Sequence, residues 1–156
     1  MQFDYLNKSH DKNVFDCGND DINRYLKQLA SQHTKKGIAQ THVLSDGAII
    51  QGFYTLSNTF IDNQDGQIKG YPKQIPAIIM GRMGVDKQFQ GQGIGKILLS
   101  HALSKIAKLA KETGIVFVII DAKDDKLANY YQQFGFSPTE QSLRLILATQ
   151  KLSQAK

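Results

Sequence analysis

The sequence has one cysteine, Cys17, so an internal disulfide is impossible and a disulfide scaffold is excluded. Long apolar runs are also missing. The longest, such as residues 77–80 and 115–120, fall far below the roughly 18 residues needed to cross a bilayer, and no membrane span is expected. Nothing ahead of Cys17 has the charged, apolar and small-residue order of a secretory signal, so the expected location is cytoplasmic. His10, His33, His42 and His101 show no ligand spacing with acidic residues or with Cys17, and no metal is expected. Cys17 has no histidine in a partner motif and precedes a helix cap, which makes it a small packing residue rather than a nucleophile. Polar linkers and fixed-period repeats are absent as well, leaving a single domain, residues 1–156, with Ser153 to Lys156 as a loose tail.

What remains is a chain of ordinary globular composition. Its 156 residues are 41% hydrophobic, enough to bury a core without metal or disulfide staples. The 19 Lys and Arg residues exceed the 14 Asp and Glu by five. That excess favours polyanionic partners by long-range attraction, and serves solubility equally well.

Periodicity gives the order of elements. Asn19 or Asp20 is placed to cap a helix whose Ile22, Tyr25, Leu26, Leu29 and Ala30 fall on one face. Residues 41–44 and 48–60 read as strands joined through Asp46-Gly47, a hairpin signal. Residues 62–76 read as a loop, 77–85 as a strand and 93–111 as a helix with an apolar stripe of Ile94, Ile97, Leu98, Ala102, Ile106, Leu109 and Ala110. A strand at 115–121 is apolar without alternation, as expected where helices cover both faces. A helix at 124–133 and a strand at 143–149 complete an α-β-β-β-α-β-α-β order, and these elements make three layers around a mixed sheet.

The most informative stretch is Gln90-Gly91-Gln92-Gly93-Ile94-Gly95-Lys96, which follows a strand and opens the long helix. Glycines there let the backbone turn tightly and present successive N–H groups, while the helix start adds positive potential, so the segment suits a pyrophosphate. A dinucleotide fingerprint is excluded because Gly95 comes one residue too soon, and a nucleotide P-loop because Gln90 and Ile97 stand at two of its required positions. Gln90-x-x-Gly93-x-Gly95 resembles the acetyl-coenzyme A loop of the GNAT superfamily of N-acetyltransferases. Tyr130-Tyr131-Gln132-Gln133-Phe134-Gly135-Phe136 resembles that superfamily's second signature. The segments Phe15-Asp16-Cys17-Gly18, Gly52-Phe53-Tyr54-Thr55-Leu56-Ser57, Gly81-Arg82-Met83-Gly84-Val85-Asp86 and Asp121-Ala122-Lys123 are similar to the GNAT toxins of bacterial toxin-antitoxin modules. Three departures stand out: Phe53 where the toxins often carry tyrosine, Gly84 where alanine is usual, and Asp124 where many GNAT enzymes have asparagine.

The resemblance implies an α/β GNAT fold, acetyl-CoA as co-substrate without a metal, and acetylation of the α-amino group of aminoacyl-tRNA, which stops translation. It also implies a ribbon-helix-helix antitoxin and a homodimer. Carried onto these residues, it makes the backbone of Met83, Gly84 and Val85 the strand along which the pantetheine arm lies. Gly91, Gln92, Gly93, Ile94, Gly95 and Lys96 then bind the pyrophosphate, Gln90 supports their loop, and Asn129 adds a cofactor hydrogen bond. Tyr131 is the expected general acid for the leaving thiolate, chosen over Tyr130 by the pattern of the family it resembles and by its spacing to Gly135-Phe136. Lys35, Lys36, Arg82 and Arg144 are candidates for the tRNA backbone. Two other functions fit the same residues: acetylation of a small amine or peptide N-terminus, and a non-catalytic module that binds acyl-CoA or a partner.

Overall fold

The computed structural model describes residues 1–141 and 143–153; of the expected C-terminal tail, residues 154–156 lie outside this range. Its strands are β1 (Gln2–Tyr5), β2 (Gln40–Asp46), β3 (Ile49–Asp62), β4 (Gln74–Val85), β5 (Phe117–Asp121), β6 (Ser137–Pro138) and β7 (Arg144–Ala148). Its helices are α1 (Asp20–Arg24), α2 (Ala30–Lys35), α3 (Ile94–Glu112), α4 (Asp125–Gln132) and α5 (Thr149–Ser153). The strands follow the order β1-β2-β3-β4-β5-β7-β6 in one mixed sheet, parallel only where β4 meets β5 in the described ladders. The chain divides into two compact units, Met1–Ser57 with Gly81–Ala102, and Asn58–Met80 with the described residues from Leu103 onward.

In the first unit, the side chain of Asn19 accepts from the backbone N–H groups of Asp21 and Ile22 and so caps α1. A π-helical turn, Tyr25–Leu29, then joins α1 to α2, with the Ala30 N–H donating to the Tyr25 carbonyl. This wider turn places Ala30 rather than Leu29 beneath Tyr25, so Leu29, expected on the apolar face, is exposed while Tyr25, Leu26 and Ala30 are buried. They pack with Phe15, Val43, Ile50 and Phe53. Successive residues of β3 point to opposite faces. Phe53 joins that cluster, whereas neighbouring Gly52 faces Leu98 and Ile94 and Tyr54 reaches His101, all on α3. Helices therefore cover both faces here, as the three-layer expectation requires. Gly47, at φ 59°, makes the β2–β3 turn. Strand β1 was not expected from the sequence: it is short and mostly exposed, and its placement comes from pairing with β2 and from Phe3 stacking on the His101 ring at 3.6 Å. On α3, Leu99 is buried and Ile97 half-exposed, the reverse of what the expected stripe has at Ile97.

In the second unit, Val118, Ile119 and Ile120 of β5 are all buried, between parallel β4 and antiparallel β7. Asp124 caps α4 by accepting from the Leu127 N–H at 2.8 Å. Asn63 organises the 62–73 loop, accepting from the Ile68 N–H and donating to the Ile68 carbonyl, each at 2.9 Å. The last strand ends one residue earlier than expected, because Thr149 turns into α5 with its hydroxyl donating to the Ile115 carbonyl at 2.6 Å.

Candidate functional site

The start of α3 is built from β4 upward. After Val85, the buried Asp86 carboxylate accepts from the backbone N–H groups of Asp16 at 3.1 Å and Gln88 at 2.9 Å, fixing the chain as it leaves the strand. Gln90 then donates to the carbonyls of Val85 at 2.9 Å and Cys17 at 3.1 Å, which ties the loop to the end of β4 and to the segment ahead of α1. Gly91 and Gly93 lie at φ 79° and 81°, a left-handed conformation that costs any other L-residue about 1–2 kcal/mol. The first helical bond runs from the Ile97 N–H to the Gly93 carbonyl at 3.1 Å, so the amides of Ile94, Gly95 and Lys96 precede the helical hydrogen-bond ladder. A Cβ built on Gly91, Gly93 or Gly95 would meet no atom within 4 Å. The loop therefore offers N–H groups ahead of the helical ladder, the positive end of a 19-residue helix and glycines with no side chain to crowd an approaching ligand, which together suit a multiply charged anion.

The expected strand residues divide by their surroundings. Gly84 is buried, and a Cβ there would come within 3.0 Å of Ile22 and 3.3 Å of the Cys17 sulfur, so any larger residue has to displace these side chains. Met83 and Val85 are half-buried, and the Val85 carbonyl already accepts the Gln90 amide. The parallel ladder with β5 ends at Met80 opposite Ile120, leaving residues 81–85 outside it. Lys96 is exposed at the helix start, while Lys87 lies 3.4 Å from the exposed Asp16 carboxylate. That carboxyl titrates below the ordinary range, chiefly because the Gly18 N–H and the Asn23 amide donate to it. Phe53 is fully buried, edge-on to Phe15, as a residue of the core.

The expected tRNA-contacting cations have different environments. Lys35 and Lys36, at the end of α2, are exposed. Arg82 is exposed too, with its guanidinium carbon 4.2 Å above the centre of the Tyr25 ring. Tyr25 was expected only as a core residue, and nothing in its helical spacing pointed to Arg82. Arg144 instead makes a two-pronged bond to Asp121, at 2.7 and 2.8 Å, which also holds its guanidinium pKa above the ordinary value. Two of its five N–H donors are thereby engaged within the chain.

In the second unit, α4 carries Tyr131, only 6% exposed, with its ring against Tyr130 at 5.7 Å and Phe136 at 6.2 Å. The helix ends beyond it as Gly135 takes φ 99° and Phe136 turns into the core, which explains the spacing of the signature. Burial, with Tyr130 adding to it, pushes the Tyr131 phenol above the ordinary value, so the hydroxyl keeps its proton. No hydrogen bond engages that hydroxyl among the described residues. Asn129 is exposed beside Gln132, whose amide reaches its side-chain oxygen at 3.5 Å. Among the described residues no helix is long and apolar enough to cross a membrane, and no three His, Cys, Asp or Glu residues form a metal-holding group.

Residues 38–138 match the family described as acetyltransferase (GNAT) domain, and the chain belongs to that family of N-acetyltransferases. A relative in Mycobacterium tuberculosis (strain ATCC 25618 / H37Rv), called a tRNA-acetylating toxin, is 28% identical over 141 residues, covering 86% of this chain and 84% of that one. Among solved structures, a tyrosine-to-phenylalanine mutant of KacT superposes with a TM-score of 0.89 at 26% identity, covering 99% and 98% of the two chains. AtaTR bound with AcCoA gives 0.84 at 25%, covering 98% and 96%. The fold is shared too by a mutant of the toxin AtaT bound to the C-terminus of the antitoxin AtaR, at TM-score 0.85 and 24% identity over 97% and 94%.

Proposed function

We propose that this chain is a toxin that transfers acetyl from acetyl-CoA to the α-amino group of aminoacyl-tRNA, and that residues 1–156 act as one GNAT domain. The observation that carries the donor is the start of α3, where Gly91 and Gly93 in left-handed conformation lead into helix-start amides that precede the helical hydrogen-bond ladder. Similarity to a tRNA-acetylating toxin along 86% of the chain supports the acceptor. Gly91, Gln92, Gly93, Ile94, Gly95 and Lys96 bind the pyrophosphate, Gln90 holds their loop, and Met83, Gly84 and Val85 line the pantetheine arm, with Asn129 as a further contact. Lys35, Lys36 and Arg82 meet the tRNA backbone, and Arg144 joins them through the N–H groups that its bond to Asp121 leaves.

Bound acetyl-CoA supplies the thioester carbon to which the amine nitrogen bonds as the carbon–sulfur bond breaks. Tyr131 gives its phenolic proton to the departing sulfur, and the attacking amine loses its own proton to water. No strong base is required of the protein. An α-amino group with pKa near 7.7–8.0 is neutral in roughly one molecule in ten at pH 7, against about one in 2,500 for a lysine side chain. A homodimer, restrained by a ribbon-helix-helix antitoxin in the cytoplasm, completes the proposal.

Incubation with radiolabelled acetyl-CoA and total aminoacylated tRNA tests it, with deacylated tRNA as control. Label on charged tRNA alone, lost with Tyr131→Phe, is expected. No label despite acetyl-CoA binding would overturn the acceptor assignment and return the small-amine or peptide acetyltransferase.

A further inference from the structure

The chain has three arginines, Arg24, Arg82 and Arg144. Arg24 donates to Asp21 at 3.1 Å and Arg144 is bonded twice to Asp121. Arg82 differs. Its guanidinium lies over an aromatic ring, 4.2 Å from the centroid, and no carboxylate pairs with it among the described residues. A guanidinium placed over a ring is held by the π face rather than by a carboxylate, so fixing it in this way spends none of its N–H groups on an ion pair. We propose that Arg82 is a preorganised fork for a phosphodiester of the acceptor, and that Tyr25 is the residue that positions it. This rests on the tRNA reading and names the group that the site recognises.

Everything around Tyr25 serves to fix the ring. It is 2% exposed, its hydroxyl lies 3.0 Å from Nδ1 of His33, and the two rings meet edge-on at 5.3 Å. The π-helical turn begins at Tyr25 and keeps it, with Leu26 and Ala30, in the core. The other end is fixed as well: the Arg82 backbone N–H donates to the buried Thr55 hydroxyl at 2.9 Å. Both the root of Arg82 and the platform under its head are therefore set by buried contacts, while the side chain is exposed. A planar fork matches two oxygens of one phosphate, which a lysine ammonium on a flexible stem does not. The arrangement explains how a modest net charge of +5 can still favour a nucleotide-linked amine over a free one.

The test compares Arg82→Lys, Tyr25→Leu and Tyr25→Phe with the wild-type enzyme, using charged tRNA and acetyl-CoA as varied substrates. Arg82→Lys keeps the charge, yet the KM for charged tRNA should rise about tenfold, the worth of one charge-assisted hydrogen bond. Tyr25→Leu should do the same, and Tyr25→Phe, which retains the ring face and loses the His33 bond, should restore most of the affinity. The KM for acetyl-CoA reports whether each variant is folded. If Tyr25→Leu proves unstable, Arg82→Lys against Tyr25→Phe carries the comparison. An unchanged KM for charged tRNA in Arg82→Lys would overturn the fork while leaving the tRNA reading intact. Absence of acetyl transfer to charged tRNA by the wild-type enzyme would overturn that reading itself.

Discussion

Chemistry at the scale of one residue turns on Tyr131. Its ring is held by Tyr130 and Phe136, and burial favours the neutral phenol. Replacing it by phenylalanine preserves that packing and removes the proton, so kcat should fall about 10²–10⁴-fold, the usual contribution of a general acid, with the KM for acetyl-CoA little changed. Steady-state kinetics with each substrate varied would show this, and equal kcat values would remove Tyr131 from the chemistry. Because the phenol pKa is raised, its ionisation should not limit kcat until the pH exceeds about 10. A pH profile that falls below that value through a phenol would contradict the assignment.

Elements constrain the glycines differently, although the sequence makes them look alike. Gly93 needs its left-handed φ, so Gly93→Ala should lose about 1–2 kcal/mol of folding stability as well as cofactor affinity. Gly95 has no such conformation and its missing Cβ would meet nothing. Gly95→Ala should therefore stabilise the protein by up to about 1 kcal/mol through helix propensity. If the pyrophosphate sits against the glycines at the start of the helix, the same change should weaken acetyl-CoA binding. Thermal unfolding and isothermal calorimetry on one variant separate the two effects, and unweakened binding would place the pyrophosphate elsewhere. Gly52 has a third reason: a Cβ there would come within 2.9 Å of a Leu98 methyl and 3.1 Å of the Gly84 carbonyl oxygen, which belongs to rigid backbone. Gly52→Ala should cost about 1–3 kcal/mol in urea unfolding, as overpacking does.

For the whole molecule, three phenols withdrawn from water set the alkaline limit of stability. Tyr25, Tyr54 and Tyr131 are all buried and all have pKa values raised by desolvation. The sign follows from proton counts: above the unfolded value near 10 the unfolded chain releases these protons first, so rising pH favours unfolding. Stability should be level with respect to these groups below pH 10. Above it, stability should fall by about 1.4 kcal/mol per pH unit for each phenol until its folded pKa is reached. Chemical denaturation between pH 8 and 11 measures this slope, and Tyr54→Phe, which leaves the ring in place, should reduce it.

Local chemistry made most of the architecture legible from sequence. Asn19 caps α1, Asp46-Gly47 turns the β2–β3 hairpin, the strand expected at 115–121 is present as β5 from Phe117 onward, two residues later than the apolar run begins, and the glycine loop opens α3 where the strand-to-helix junction placed it. These features depend on spacing between near neighbours, which a sequence displays directly. What was missed depends on distant partners. Strand β1 exists because β2 pairs with it and His101 stacks on Phe3, and no periodicity of Gln2–Tyr5 announces either. The π-helical turn moved Leu29 out of the core because tertiary packing, rather than helical period, chose which side chains to bury. Arg82 and Arg144 are indistinguishable as letters. Only the folded chain gave one of them an aspartate and the other a tyrosine ring 57 positions earlier in the sequence, because the charge that remains open depends on which side chains the sheet and helices bring together.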